Sequence, residues 1–439
     1  MLILQDARAL LQALWKWGIL GSLVGVLSGS AAAIFLIALD AVTRLRLDNP
    51  WLIVGLPLIG LGIGYVYWRY GGAAGRGNAL ILENIHAPQR IPRRIAPLIL
   101  LGTLATHLVG GSAGREGTGV QMGVGLAEAV RRWVEAGSAN LRRLLGWRGD
   151  DARLLLMAGI SGGFGGVFGT PIAGMVFALE VPSIGRVRFD GALPCLIAAL
   201  AADLTGVVWN APHAHYPALH SPELLPLELL RVALLGTACG LVSFGFIELT
   251  EAVKRQAARR LAWPPLRPTL GGLAVLGLLL LLGLDYGGLS TSLIDQALHG
   301  EAVPPLAFLA KLILTAVTLG VGFVGGEVTP LFVMGATLGA TLGPVLALEA
   351  PFAAQMGFVA VFAAASNTPL ASVLMGVELF GSDTHGLAYW LVAVLLAYLV
   401  SGHRSIYATQ RIRYAKDGHP DIVQNETVHE RQERRSGSH

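Results

Sequence analysis

Charge is what this sequence has little of. Asp, Glu, Lys and Arg make up 14% of its 439 residues and hydrophobic residues 54%, against roughly 25% charged in an average soluble domain. The shortage is sharper in the body of the chain, because the last 36 residues, Arg404 to His439, hold seven basic and five acidic side chains. So little charge cannot cover a water-exposed surface, which excludes a water-soluble enzyme and leaves lipid as the solvent. Cysteine is nearly absent. Cys195 and Cys239, both inside apolar stretches, form neither a disulfide framework nor a metal set and read as small buried hydrophobes. Neither sign of charge dominates: 32 basic residues face 28 acidic ones, and no basic run is interleaved with aromatics, so no nucleic-acid partner is implied. Near the N-terminus no small-residue cleavage site follows a short apolar core. Trp17 to Leu39 therefore reads as a retained helix rather than a removed signal.

What the chain has instead is apolar length. At roughly 20 residues per spanning helix, about a dozen or more membrane segments fit. Charge-free stretches run over Trp17–Leu39, Asn49–Trp68, Ile95–Gly114, Leu154–Leu179, Val328–Leu348, Ala350–Val377 and Thr384–His403, each about long enough to span. Gly117–Ala127, Gly191–Ala202 and Leu312–Gly326 are apolar but reach only part way. Basic residues gather between runs, as at Arg131, Arg132, Arg142, Arg143, Arg148 and Arg153, which is where cytoplasmic loops carry them. Glycine is abundant, 57 residues, and concentrates at Gly71–Gly77, Gly110–Gly125, Gly159–Gly169 and Gly320–Gly326. These interruptions predict half-helices, because non-helical backbone at membrane depth must line a cavity or be buried in protein.

The chain also repeats itself. Thr170-Pro-Ile-Ala-Gly-Met-Val-Phe-Ala-Leu-Glu180 recurs 198 residues later as Thr368-Pro-Leu-Ala-Ser-Val-Leu-Met-Gly-Val-Glu378, with four identities in register including both ends. Gly114-Arg-Glu-Gly-Thr118 is echoed 211 residues on by Gly325-Gly-Glu-Val-Thr329. The spacing predicts two related halves, near 40–205 and 225–400. Transporters built this way place their substrate site at mid-membrane, with half-helix N-termini aimed at an anion.

The Gly-rich stretch Gly110 to Gly123 holds the strongest candidate group. An acidic side chain inside a membrane is expensive and marks function, and Glu116 stands where a Gly-rich lead opens a helix. Its carboxylate is itself an anion: ionised it occupies an anion site, protonated it leaves, and the two events couple. A structural Arg115–Glu116 pair is the alternative. The Gly-x-Ser-x-Gly match at Gly110 to Gly114 follows an apolar helical run rather than a strand and lacks partners, so a hydrolase nucleophile is not read there. Gly335, Gly339 and Gly343 mark a face for close helix packing. His213, His215 and His220 share a Pro-rich loop, but neither a metal nor a cofactor is implied.

Gly114-Arg-Glu-Gly117 after a Gly-rich lead, Gly325-Gly-x-x-x-Pro330, the two Thr-Pro-(Ile/Leu)-Ala helices ending in Glu, and the late Tyr407 together resemble the CLC family of chloride channels and proton-coupled antiporters. The resemblance reaches to about residue 415. It implies an all-α polytopic membrane protein with two inverted-topology repeats and broken half-helices meeting at mid-membrane, working as a homodimer.

Three departures are informative. Where most of the family has Gly-Ser-Gly-Ile-Pro, this chain has Gly75-Arg-Gly-Asn78-Ala-Leu80; the Pro after Gly-Arg-Glu-Gly is Thr118; and Gly-Ile-Phe-Ala-Pro is Gly326-Glu-Val-Thr-Pro330. These resemble the fluoride/proton antiporter branch, CLC-F. That likeness implies Glu116 as the gating and proton-carrying carboxylate. Asn78, Gly114, Arg115, Gly117, Thr118, Val328, Thr329 and Tyr407 become anion-binding or pore-lining residues, and Glu327 a candidate helper in proton movement or conduction. Asn78 as a helix N-cap, Thr329 as an interhelical hydrogen bonder and Tyr407 as an interfacial aromatic stay open as alternatives, as does a helix-start role for Glu327. The residue after Glu180, an internal proton glutamate in chloride antiporters of the family, is Val181, so the inward proton route is unassigned. Fluoride loses much hydration on entering a pore, and amide, hydroxyl and half-helix donors are the replacements it needs. The expected function is fluoride export in exchange for protons across a bacterial plasma (inner) membrane, with a chloride/proton antiporter or chloride channel as the alternative. A membrane-embedded enzyme or receptor would need a soluble domain. Residues 416–439 are too few and too polar for one and read as a charged disordered tail.

Overall fold

The structure, a computed structural model, describes residues 2–87, 89–381, 383, 385–416 and 425–436. The first half runs α1 (Leu2–Asp48), α2 (Leu56–Val66), α3 (Asn78–His86), α4 (Ile95–Leu108), α5 (Glu116–Ala136), α6 (Ala139–Leu145), α7 (Asp151–Phe168), α8 (Pro171–Glu180) and α9 (Ala192–Val208). The second runs α10 (Pro226–Arg260), α11 (Leu266–Leu282), α12 (Thr291–Leu298), α13 (Ala307–Gly320), α14 (Val328–Val345), α15 (Ala350–Ser366), α16 (Pro369–Phe380) and α17 (Gly386–Val400), with α18 (Val428–Ser436) beyond it. Two short strands, β1 (Ser183–Ile184) and β2 (Arg411–Ile412), pair in parallel. Helix predominates because lipid offers backbone groups no partner.

Leu10–Asp48, Pro50–His86, Phe189–Val208, Pro226–Arg260 and Val328–Val345 are long and apolar enough to cross a membrane. Shorter apolar helices such as Ile95–Leu108, Pro171–Glu180 and Pro369–Phe380 are the half-helices expected. Two runs that the sequence presented as single spans are each split. Leu154–Leu179 divides into α7 and α8 at Gly169, whose φ is 70°, and Ala350–Val377 divides into α15 and α16 at Asn367, whose φ is 57°. In both, a left-handed residue ends one helix and Thr-Pro starts the next with proline in its first turn. The short run Gly117–Ala127 lies within the longer helix α5 and all but Gly191 of Gly191–Ala202 lies within α9, whereas Leu312–Gly326 runs past the end of α13 at Gly320 into the loop before α14. Helices α10 and α11 were not anticipated; α10 carries Glu248, Glu251, Lys254, Arg255, Arg259 and Arg260 in its second half, so a search for charge-free runs passes over it.

Glycine does two jobs. Gly110–Gly114 and Gly322–Gly326 do interrupt helices, but Gly159–Gly166 does not: these residues lie inside α7, where Gly159 and Gly163 allow backbone contact with α5. A Cβ on Gly159 would stand 2.7 Å from the Gly123 carbonyl oxygen and one on Gly163 2.9 Å from the Gly119 carbonyl carbon. The Gly335–Gly339–Gly343 face of α14 packs likewise on Gly357 and Ala353 of α15.

The tail departs from expectation. Residues 425–436 are ordered: Val428 packs with Ile184 and Ile412, its N–H donates to the Gln410 carbonyl at 3.0 Å, and Glu426 takes two hydrogen bonds from Arg434. Thr427 and Glu430 cap α18 reciprocally, Thr427 N to Glu430 Oε2 at 2.7 Å and Glu430 N to Thr427 Oγ1 at 3.1 Å. One apolar residue and a capping box suffice to dock a polar segment onto a surface already built. Residues 417–424 and 437–439 lie outside the described residues.

Candidate functional site

Two interrupted loops bring the N-termini of α5 and α14 together. Gly114 N donates to the Gly326 carbonyl at 2.6 Å and Gly326 N to the Gly114 carbonyl at 2.8 Å, an antiparallel bridge between the two echoed motifs. Only glycine permits it: a Cβ on Gly326 would meet the backbone nitrogens of Arg115, Glu116 and Gly117 at 3.0–3.1 Å, and one on Gly114 would lie 2.8 Å from Pro330 Cδ.

Glu116, the first residue of α5, is 1% exposed. Its carboxylate reaches across to the second half. Oε2 accepts from Thr329 N at 3.0 Å and Arg115 N at 3.1 Å, and Oε1 accepts from the Thr329 hydroxyl. Arg115 Nε stands 3.5 Å from Oε1. A carboxyl group therefore sits where two helix N-termini converge, the place such dipoles favour an anion. Arg115, Gly114, Gly117, Val328 and Thr329 are thus brought together around Glu116. Thr118 is turned away: its hydroxyl pairs with that of Thr103 on α4 at 2.7 Å. His107, also on α4, braces the loop by contacting the Thr103 and Ala113 carbonyls at 2.8 and 3.1 Å.

Asn78 opens α3, but Gly77 is its N-cap and no side-chain cap forms; that alternative is overturned. Asn78 Nδ2 lies beside α5, 3.4 Å from the position of a Cβ on Gly117, and its buried Oδ1 has no hydrogen-bond partner. Tyr407 is 7% exposed, too buried for an interfacial aromatic, and its ring stands edge-on to Phe177 with centroids 6.3 Å apart. Asn78, Val120, Phe177, Val181 and Tyr407 line a cavity of about 10 Å³, close to the space one water needs. Toward the other side, Arg115, Asp40, His213, Tyr216 and Asp295 line a cavity of about 300 Å³. The site lies between a wide basin and a narrow slot.

Glu327 stays apart. It is the residue before α14 and makes no side-chain cap. Arg76 and Arg115 both pair with carboxylates, Glu83 and Glu116.

Two acidic residues had roles that sequence reasoning did not assign. Glu180, ending α8, accepts from Leu370 N at 3.2 Å and Ala371 N at 2.9 Å in the first turn of α16. Glu378, in α16, returns the arrangement to α8, accepting from Ile172 N at 2.9 Å and Ala173 N at 2.7 Å. Each half caps the other's helix. The repeated Thr-Pro…Glu segments were the available signal. Gln410 was also missed. Fully buried, its Nε2 donates to the Val181 and Ser366 carbonyls at 2.9 and 3.1 Å, and its Oε1 accepts from Ser405 and Asn367, which fixes the loop carrying Tyr407.

Comparison with known proteins agrees with this architecture. A family model for the voltage-gated chloride channel matches residues 59–402. The chain is 42% identical over 413 residues to a chloride/fluoride channel protein of Pseudomonas syringae pv. tomato, covering 92% of this chain and 88% of that one. It superposes on the crystal structure of a CLC-type fluoride/proton antiporter with a TM-score of 0.84 at 35% identity, covering 90% of this chain and 98% of the other. A slow cyanobacterial Cl−/H+ antiporter shares the fold, with a TM-score of 0.72 at 18% identity over 88% of this chain and 94% of its own. With a family match across most of its length and the two broken-helix motifs facing one another, the chain belongs to the voltage-gated chloride channel (CLC) family, built from two inverted repeats.

Proposed function

We propose that the protein exchanges fluoride for protons, exporting fluoride across a bacterial plasma membrane, with Glu116 as the gating and proton-carrying group. The observation that carries this reading is the Glu116 carboxylate held by Thr329 and by its own loop at two facing helix N-termini. An ionised carboxylate there stands in for the anion. Protonation weakens its hold on these donors, and the displaced donors are then offered to fluoride. Asn78 and Tyr407 line the slot through which the dehydrated ion continues. Hydroxyl and amide donors suit a small anion with a large hydration energy. The likeness to a CLC-type fluoride/proton antiporter supports fluoride, and the name of the chloride/fluoride channel protein includes it.

Val181 offers no ionisable group in the slot, and Glu180 is engaged in capping α16. The proton's inward path therefore runs by way of Glu116 itself, with Glu327 as a helper. The side bearing Arg131, Arg132, Arg142 and Arg143 faces the cytoplasm, and the working unit is a homodimer, testable by native mass spectrometry. Purified protein in liposomes should drive fluoride efflux with an imposed proton gradient and pass chloride more slowly. Chloride moving as fast as fluoride would replace this reading with a chloride/proton antiporter. Reversal at the fluoride equilibrium potential would make the protein a channel.

A further inference from the structure

Arg46 and Lys311 are buried cations that form no salt bridge among the described residues. Arg46, in the last turn of α1, is 8% exposed, and its Nε has no hydrogen-bond partner. Lys311, on α13, is fully buried. Its Nζ donates to the carbonyls of Tyr286 and Gly288 at 3.2 and 2.8 Å and to Ser290 Oγ at 2.8 Å. These three acceptors solvate the ammonium and leave its charge unbalanced.

The two cations meet at Gly288. Lys311 holds its carbonyl, and Arg46 Nη2 lies 3.3 Å from where a Cβ on that residue would stand. Arg46, Ser290, Thr291, Ser292 and Asp285 share one cavity of about 190 Å³. Helix α12 starts there, and its N-cap, Ser290, is in the left-handed conformation with φ 59° and supplies no side-chain cap, because its hydroxyl turns to Lys311. The cavity adjoins the larger basin that reaches Arg115: Thr43, Leu289 and Thr291 line both.

We propose that this cavity is an anion-capture site, taking a small hydrated monovalent anion beside the entrance to the transport path. Arg46 would hold the ion directly, Thr291, Ser292 and the uncapped first turn of α12 would supply neutral donors, and Lys311 would add charge from behind. Asp285 lines the same cavity as Arg46 and offsets part of its charge, which suits the cavity to a single monovalent anion. Partial neutralisation by Asp285 also keeps the ion loosely held, as a site that passes its ion onward requires. Binding stands on this geometry alone; delivery to Glu116 rests on the transport function proposed above.

Bromide is a suitable probe, since a cavity this wide does not select by size. In crystals soaked in sodium bromide, anomalous scattering should show an ion between Arg46 and Thr291. The same soak of Arg46→Gln should lose that peak and keep any others. In liposomes, Arg46→Gln should raise the fluoride concentration for half-maximal exchange by about tenfold, the ratio for loss of one charged hydrogen bond. Its maximal rate should stay within about twofold of the parent, and Arg46→Lys should recover most of the affinity. If Arg46→Gln fails to fold, the Thr291→Val, Ser292→Ala pair, which leaves Arg46 packed, should raise the half-maximal concentration by about threefold. No bromide at Arg46 in the parent, or an unchanged half-maximal concentration in both variants, would overturn the proposal. Absence of proton-driven fluoride flux in the parent would instead remove the transport reading while the bromide peak still reported the site.

Discussion

The α8/α16 crossing and the α5/α14 crossing are built from equivalent parts of the two repeats, yet only one is symmetric. At α8/α16, Glu180 and Glu378 each span to the other half and cap it with two backbone hydrogen bonds. At α5/α14, Glu116 crosses to Thr329, while its repeat counterpart Glu327 makes no cap. Thr118, the counterpart of Thr329, gives its hydroxyl to Thr103 instead. Reciprocity survives where the carboxylates hold the halves together. It is broken at the crossing where the proposed exchange asks one carboxylate to leave, and a group locked on both sides could not give way to an ion.

Substitutions at paired positions test this contrast. The largest effect is expected at Glu116: Glu116→Gln should lower proton-coupled fluoride flux by at least about 100-fold, the range for losing a proton-transferring group. Glu327→Gln should lower it by less than about tenfold. Equal losses would restore the symmetry that the structure denies, and unchanged flux in Glu116→Gln would remove its gating role. Next comes Thr329→Val, which keeps the backbone donor and removes the hydroxyl. It should slow exchange by about tenfold, equivalent to one hydrogen bond to a charged group, whereas Thr118→Val should change flux by less than about threefold.

Glu180→Gln and Glu378→Gln should each lower unfolding stability by about 1.5–3 kcal/mol through loss of charge-assisted caps, and by similar amounts in thermal or denaturant unfolding. A difference of several kcal/mol between them would show that the crossing is asymmetric after all. The smallest effect concerns the tail. Hydrogen bonds from the Thr427 N–H and hydroxyl hold Glu430 below the usual carboxylate range, against a small opposing effect of burial. A depressed folded value means that its contribution is complete above the ordinary glutamate range and is lost as pH falls through the lowered value. Amide exchange over residues 426–436 should therefore quicken in acid before exchange in the helical body does, and Glu430→Gln should remove that acid sensitivity.

Membrane residence, the half-helices and the buried carboxylate at the start of α5 were legible because each leaves a local mark: lack of charge, Thr-Pro after a left-handed residue, and Glu116 beside glycines. The double use of glycine was not. Gly159 and Gly163 look like breakers in sequence, and only the position of α5 against them makes them contact residues. Helix α10 was missed for the opposite reason, as its charged second half masks an apolar first half. The tail's helix escaped notice because composition reports average polarity and not one Val428 meeting a pocket.

By itself the sequence determined the solvent, the Thr-Pro helix starts and the place of Glu116 in an apolar, Gly-rich stretch, since these follow from hydropathy, proline and glycine stereochemistry within a turn or two. Only the tertiary structure decided what the charged side chains touch. Glu116 and Thr329 are 213 residues apart, Glu180 and Ala371 are 191 apart, and Arg46 meets Lys311 at a glycine that belongs to neither helix. Electrostatic and hydrogen-bond energies depend on distance in space and burial, and neither is a property of spacing along the chain.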